Sequence, residues 1–276
     1  MNTCDVYECT PLHSAAEKGN AEVARILVGK GANVNACTIE GHSCLHYSTM
    51  HEDNESMARF LVDNGAYIHA QDQSGSTPLH WAAKRERKNV VRFLVDQGAD
   101  VNSENAVRET PLHEAATQKS GESLIRLLVS PTVDLNRQNE KGRTALHLAS
   151  IWRRNPEPIV RCLVEMGADP NLQDVKGRTA LHEAVRGGVL DRDLQESEAM
   201  VRCLVGKGAN PNCQDEEGCT PLHEAASWGG EAVIRFLVDE GKAKLGVQNK
   251  DGKIALDLAL QRREKSIAGF LRGRAW

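Results

Sequence analysis

Apolar and small residues recur along the chain in short helical patterns rather than long stripes. Leu12, Ala15 and Ala16 share one helical face by their spacing, and Leu112, Ala115 and Ala116 repeat that arrangement. A second kind of apolar run follows at about 14 to 25 residues from the start of each copy. It reads Arg25-Ile26-Leu27-Val28, Arg59-Phe60-Leu61-Val62, Arg92-Phe93-Leu94-Val95, Arg161-Cys162-Leu163-Val164, Arg202-Cys203-Leu204-Val205 and Arg235-Phe236-Leu237-Val238. The pattern predicts pairs of short helices. Gly31, Gly65, Gly98, Gly167, Gly208 and Gly241 close the second of each pair, at the left-handed position just past a helix end. Repeat four departs, with Ser130-Pro131 and no glycine.

The start of each copy is marked by four residues. Thr10-Pro11-Leu12-His13 recurs as Ser43-Cys44-Leu45-His46, Thr77-Pro78-Leu79-His80, Thr110-Pro111-Leu112-His113, Thr144-Ala145-Leu146-His147, Thr179-Ala180-Leu181-His182 and Thr220-Pro221-Leu222-His223. Ile254-Ala255-Leu256-Asp257 is a degenerate eighth copy, and successive starts are 33, 34, 33, 34, 35, 41 and 34 residues apart. Threonine supplies an N-cap oxygen, and proline at the next position has a preset φ and no amide proton to lose. Gly41, Gly75, Gly142, Gly177, Gly218 and Gly252 stand two positions before six of the copies, where a tight turn uses their backbone freedom.

This period, the T-P-L-H start and the Gly98-Ala99-Asp100-Val101-Asn102 close resemble the ankyrin repeat across roughly residues 8 to 272. The resemblance implies an all-α solenoid of helix-turn-helix units joined by β-hairpin-like turns. It divides one domain, 1–276, into repeats at about 8–40, 41–74, 75–107, 108–141, 142–176, 177–217, 218–251 and 252–276. Repeat six carries an inserted loop near 187–198, acidic and mobile in character, and a plain tolerated insertion is an equal reading. The last copy reads as a polar C-terminal cap, with Gln261, Arg262, Arg263, Glu264, Lys265, Arg272 and Arg274. No room is expected for a catalytic domain.

Composition adds limits. The 34 Lys+Arg against 38 Asp+Glu give a net charge of −4, which lacks the basic excess of a nucleic-acid binder, so no nucleic acid is expected. The 4% aromatic content follows from small residues on the helix faces, while 40% hydrophobic residues suffice for a core. No run of about 18 apolar residues occurs, so no membrane insertion is expected, and no export signal is visible at the N-terminus. The eight cysteines fall without a C-x-x-C pair or zinc spacing, which reads as free thiols in the cytoplasm or nucleus.

Candidate chemistry is sparse. In the resemblance the seven motif histidines are structural, bonding locally and to the adjoining repeat. His42, His46 and His51 lack the further ligands of a metal site. Gly29-Lys30-Gly31 and Gly206-Lys207-Gly208 close helices and fail as phosphate loops. Cys162 and Cys203 take the place of Phe60, Phe93 and Phe236 and read as core, while Cys37 and Cys213 fall in exposed hairpin segments. The expected catalytic residues, cofactors and metals are therefore none.

What remains is surface. The resemblance implies a concave groove lined by the residue after each motif histidine and those three and four further on. These positions hold Tyr47, Met50 and His51, then Trp81, Lys84 and Arg85, then Leu148, Ile151 and Trp152, and finally Trp228. Tyr47, Met50, Trp81, Arg85, Leu148, Ile151, Trp152 and Trp228 are the candidate partner-binding residues, since aromatics and arginine dominate interface hot spots. Packing of the rings against neighbouring helices is the competing reading. Stacking at about 10 Å per repeat places Trp81, Trp152 and Trp228 about 20 Å apart in turn, a path for an extended peptide of about 12 residues. The basic runs Lys84 to Lys88 and Arg153-Arg154 read as solvated loop charge, with an acidic partner segment as the alternative.

The leading expectation is a non-enzymatic scaffold or adaptor, monomeric by itself, that binds a protein or peptide in the groove and at the hairpin tips. The alternative is an inhibitory or targeting subunit that masks an enzyme or transcription factor, and an enzyme is the remote third.

Overall fold

The structure is a computed structural model that describes residues 4–50, 54–151, 156–190, 194–228 and 230–274. The chain divides into two compact units, Met1–Asp134 and Leu135–Trp276. In the first unit helices pair as α1 (Pro11–Glu17) with α2 (Ala21–Gly29), α3 (Cys44–Met50) with α4 (Glu55–Asp63), α5 (Pro78–Lys84) with α6 (Lys88–Asp96), and α7 (Pro111–Ala116) with α8 (Gly121–Leu128). In the second unit the pairs are α9 (Ala145–Ile151) with α10 (Glu157–Glu165), α11 (Ala180–Leu190) with α12 (Leu194–Gly206), α13 (Pro221–Trp228) with α14 (Glu231–Asp239), and α15 (Ala255–Gln261) with α16 (Lys265–Arg274). Among the described residues strand pairing is limited to one isolated bridge, Cys37 to Ser43. The expected all-α repeat solenoid is the fold. No described helix is long and apolar enough to cross a membrane.

The motif threonine starts each first helix because its backbone and side chain are both spoken for. Thr10 N donates to His13 Nδ1 at 3.1 Å, and His13 N returns a bond to Thr10 Oγ1. The other edge of the imidazole reaches the next repeat: His13 Nε2 lies 3.2 Å from His42 O, His46 Nε2 3.0 Å from Ser76 O and His80 Nε2 3.0 Å from Glu109 O. The second unit repeats it, with His147 on Arg178 O, His182 on Cys219 O and His223 on Lys253 O. A carbonyl only accepts, so Nε2 carries the proton and Nδ1 is the acceptor, which makes these rings neutral. The structural role implied for them is the one they have.

Three further ladders join neighbouring repeats within each unit. At the hairpin tips Ile39 N donates to Tyr7 O, Gln73 N to Glu40 O and Ala106 N to Ser74 O, and in the second unit Val175 N, Glu216 N and Lys250 N do the same. Behind them asparagines clamp the following backbone, as Asn171 does by donating to Gly208 O at 3.0 Å and accepting from Asn210 N at 2.7 Å. On the second helices Arg59, Arg202 and Arg235 lie over Phe93, Phe236 and Phe270 of the following repeat, with ring distances of 4.6, 4.3 and 4.5 Å. Within each unit the motif leucines are buried, Leu12, Leu45, Leu79 and Leu112 in the first and Leu146, Leu181 and Leu222 in the second, and alanines beside them allow the helices to meet closely.

The tip glycines are needed twice over. Gly142 has φ +68°, and a Cβ there would stand 2.7 Å from Val175 N. Repeats one and four lack the glycine and place Glu8 (φ 59°) and Arg108 (φ 61°) in the same left-handed conformation.

Three expectations are corrected. Gly241 is not left-handed; Lys242 takes that position at φ 58°, because one extra residue lengthens the turn and Gly241 N bonds back to Phe236 O at 2.8 Å. The inserted loop near 187–198 is instead mostly helix, in an α11 of 11 residues and an α12 of 13, with 191–193 outside the described residues. Leu, Gln and Glu in that stretch are strong helix formers, and Ser197 Oγ anchors α12 by donating to Ala184 O at 2.9 Å. Cys162 is buried as expected, whereas Cys203 and Cys213 are half-buried.

Two predictions follow from the ladders. Burial holds His13, His46, His80, His147, His182 and His223 below the ordinary imidazole value, and His46 falls to about 4. The unfolded chain takes up these protons near pH 6.5 while the native chain does not, so stability is complete above that pH and is lost as pH falls toward 4. Each histidine contributes up to about 1.4 kcal/mol per pH unit. The urea midpoint should drop clearly between pH 7.5 and 5.5, and an unchanged midpoint would contradict the neutral, buried assignment. Separately, Arg108→Gly should raise stability by about 0.5–1 kcal/mol, since it removes a left-handed side chain at some entropic cost; a lower melting temperature would refute it.

Candidate functional site

Each motif histidine is followed by a residue on the open face of a first helix, and the structure shows how that face is built. Tyr47 and Met50 on α3 and Leu148 and Ile151 on α9 are all half-buried. The Tyr47 hydroxyl bonds the Cys9 thiol, and burial, with that bond, raises its pKa. Its ring stands edge-on to His13 at 5.1 Å. Trp152, His51, Arg153 and Arg154 lie outside the described residues.

Trp81 is both surface and framework. It is half-buried, and its Nε1 donates to Asp72 Oδ2 at 2.8 Å. Asp72 Oδ1 meanwhile accepts from Ser74 N, Ser74 Oγ and Ser76 N. Burial pushes the Asp72 carboxyl up, but these hydrogen bonds outweigh it and hold the group below its usual range. His42 completes the cluster: its ring meets Trp81 edge-on at 5.1 Å, and its nitrogens lie 3.3 Å from Glu40 and 3.4 Å from Asp72. Among the described residues there is no group of three or more potential metal ligands. Arg85, exposed at the C-cap of α5, places its guanidinium 5.6 Å from the Trp81 ring centroid.

Trp228, at the end of α13, is 41% exposed. Its Nε1 donates to Glu224 Oε2 at 3.0 Å, and Arg262 lies 5.3 Å from its ring centroid. Trp81 and Trp228 belong to different units, and each is described within its own.

The same face carries carboxylates that the sequence reading missed. Glu114 and Glu183 directly follow motif histidines and are 8% and 5% exposed. Lys84 Nζ reaches Glu114 at 3.3 Å, Arg143 and Arg178 reach Glu183 at 3.4 and 3.2 Å, and Arg186 reaches Glu224 at 3.0 Å. Burial raises both Glu114 and Glu183, with the paired cations acting against it. The available signal was a cation one repeat before each glutamate. The reading of Lys84 to Lys88 as solvated charge also changes: Arg87 donates to Thr49 O and Met50 O at 3.2 and 3.0 Å, capping the end of α3.

These geometries separate the two tryptophans. Trp81→Ala removes a bond to a buried carboxylate and should lower stability by about 1–3 kcal/mol, while Trp228→Ala should leave the melting curve nearly unchanged. Equal melting temperatures for the two variants would show that the Asp72 bond carries no stability.

The family model described as ankyrin repeats (3 copies) matches residues 1–72, 45–139, 112–192 and 194–274. An ankyrin repeat protein of fowlpox virus (strain NVSL) is 44% identical over 48 residues, which is 17% of this chain. The chain spans only 7% of the length of that viral protein.

Proposed function

The chain belongs to the ankyrin-repeat family, and we propose that it is a scaffold or adaptor that binds a protein or extended peptide along its first-helix face and hairpin tips. Ankyrin repeats are generally protein–protein interaction modules and typically non-enzymatic. The observation that carries the reading is Trp228: a large ring, 41% exposed, whose orientation is already fixed by Glu224. A ring held in one rotamer loses little entropy on binding, and exposed aromatic area of this kind is what interface hot spots use. In the first unit the tips add a second apolar row, with Tyr7, Ile39 and Val107 exposed, and in the second unit Val175 is exposed at a tip.

A photo-crosslinking amino acid placed at Trp228, at Ile151 or at Arg25 on the second helix α2 tests the face. Adducts identified by mass spectrometry should form from Trp228 and Ile151 and not from Arg25. Adducts that form equally from Arg25 would remove the first-helix face from consideration.

A further inference from the structure

In each unit an indole is held by a carboxylate at its N–H and by an arginine at its face. In the first unit the carboxylate is Asp72 and the arginine Arg85; in the second they are Glu224 and Arg262. Both arginines are C-cap residues of first helices, where the carbonyl end of the helix favours a cation.

Among the described residues the two carboxylates bond elsewhere: Asp72 accepts from Ser76 N and the Trp81 indole, and Glu224 from Arg186 and the Trp228 indole. The neighbouring cations are spent too, Lys84 on Glu114 and Arg186 on Glu224. Within the described residues the side chains of Arg85 and Arg262 have neither a hydrogen bond nor an ion pair, and both are exposed. A guanidinium is a planar fork of N–H donors, the geometry that takes a carboxylate bidentately.

A neutral or basic segment laid over either pair would strip water from the guanidinium and supply no counter-charge, which is unfavourable. An acidic one would supply the missing partner. We infer that the Trp81–Arg85 pair and the Trp228–Arg262 pair are each a recognition point for an acidic segment of a protein partner, with an Asp or Glu carboxylate on the guanidinium and an adjacent apolar side chain on the indole. This rests on the first-helix face being the binding face, and it gives the partner its chemistry.

Random peptides of about 12 residues, displayed on phage, are selected on the full chain and on the double variant Arg85→Gln/Arg262→Gln. Both substitutions alter exposed side chains, so the melting temperature serves as the folding control. Peptides from the wild type should be enriched in Asp and Glu, and should lose about tenfold in affinity on the variant or after Glu→Gln exchange in the peptide. Selected peptides without acidic enrichment, or with equal affinity for the variant, overturn the inference and leave the binding face standing. A wild-type chain that enriches no peptide overturns the binding face as well.

Discussion

In six of the motif histidines, His13, His46, His80, His147, His182 and His223, the Nε2–H reaches a carbonyl of the following repeat while Nδ1 accepts from the threonine or serine that opens its own helix. One side chain therefore starts a helix and joins two repeats, and it can do both only as the neutral tautomer with the proton on Nε2. A hydrogen bond of this kind nets about 0.5–1.5 kcal/mol, but deleting the ring would orphan a buried amide and a buried carbonyl together. Apolar cohesion comes from the buried leucines, isoleucines and valines of both helices, and the polar ladders add a directional bond from one repeat to the next. In the eighth copy Asp257 makes the local bond to Ile254 N.

Those bonds decide where recognition can reside. Residues that close a helix, clamp a turn or fill the core cannot be exchanged for a new ligand without loss of the fold. The position after the histidine and those one turn on escape the ladders, and here they divide into two kinds. Glu114, Glu183 and Glu224 meet cations from the preceding repeat and satisfy themselves. Trp81 and Trp228 are satisfied only at the indole N–H, leaving ring area for a partner.

The repeat register was legible because its chemistry is local: a hydroxyl residue and His stand at fixed spacing for the cap, and glycine is favoured where φ turns positive. The same locality explains the failures. Lys242 takes a glycine position because one residue was added to a turn, which period counting does not see. The insertion after Arg186 extends α11 and α12, where its length alone suggested a loop. Arg87 was read as surface charge, although it caps α3 in the repeat before its own. Of the candidate face, the positions were legible through the family resemblance, but the bond from Trp81 to Asp72 was not, because Asp72 belongs to a turn whose aspartate has its own local role.

A face on which every charge is paired presents a partner only with an exchange of one set of hydrogen bonds for another, and selectivity then has little to act on. Among the described residues of this face, Arg85 and Arg262 differ. Beside Arg85 and Arg262 a carboxylate holds the indole N–H, so the ring is fixed, and among the described residues the guanidinium has no ion pair. The tryptophan supplies apolar area beside an exposed guanidinium, and a partner carboxylate that meets that guanidinium gains a charge-assisted contact without disturbing any ladder between repeats.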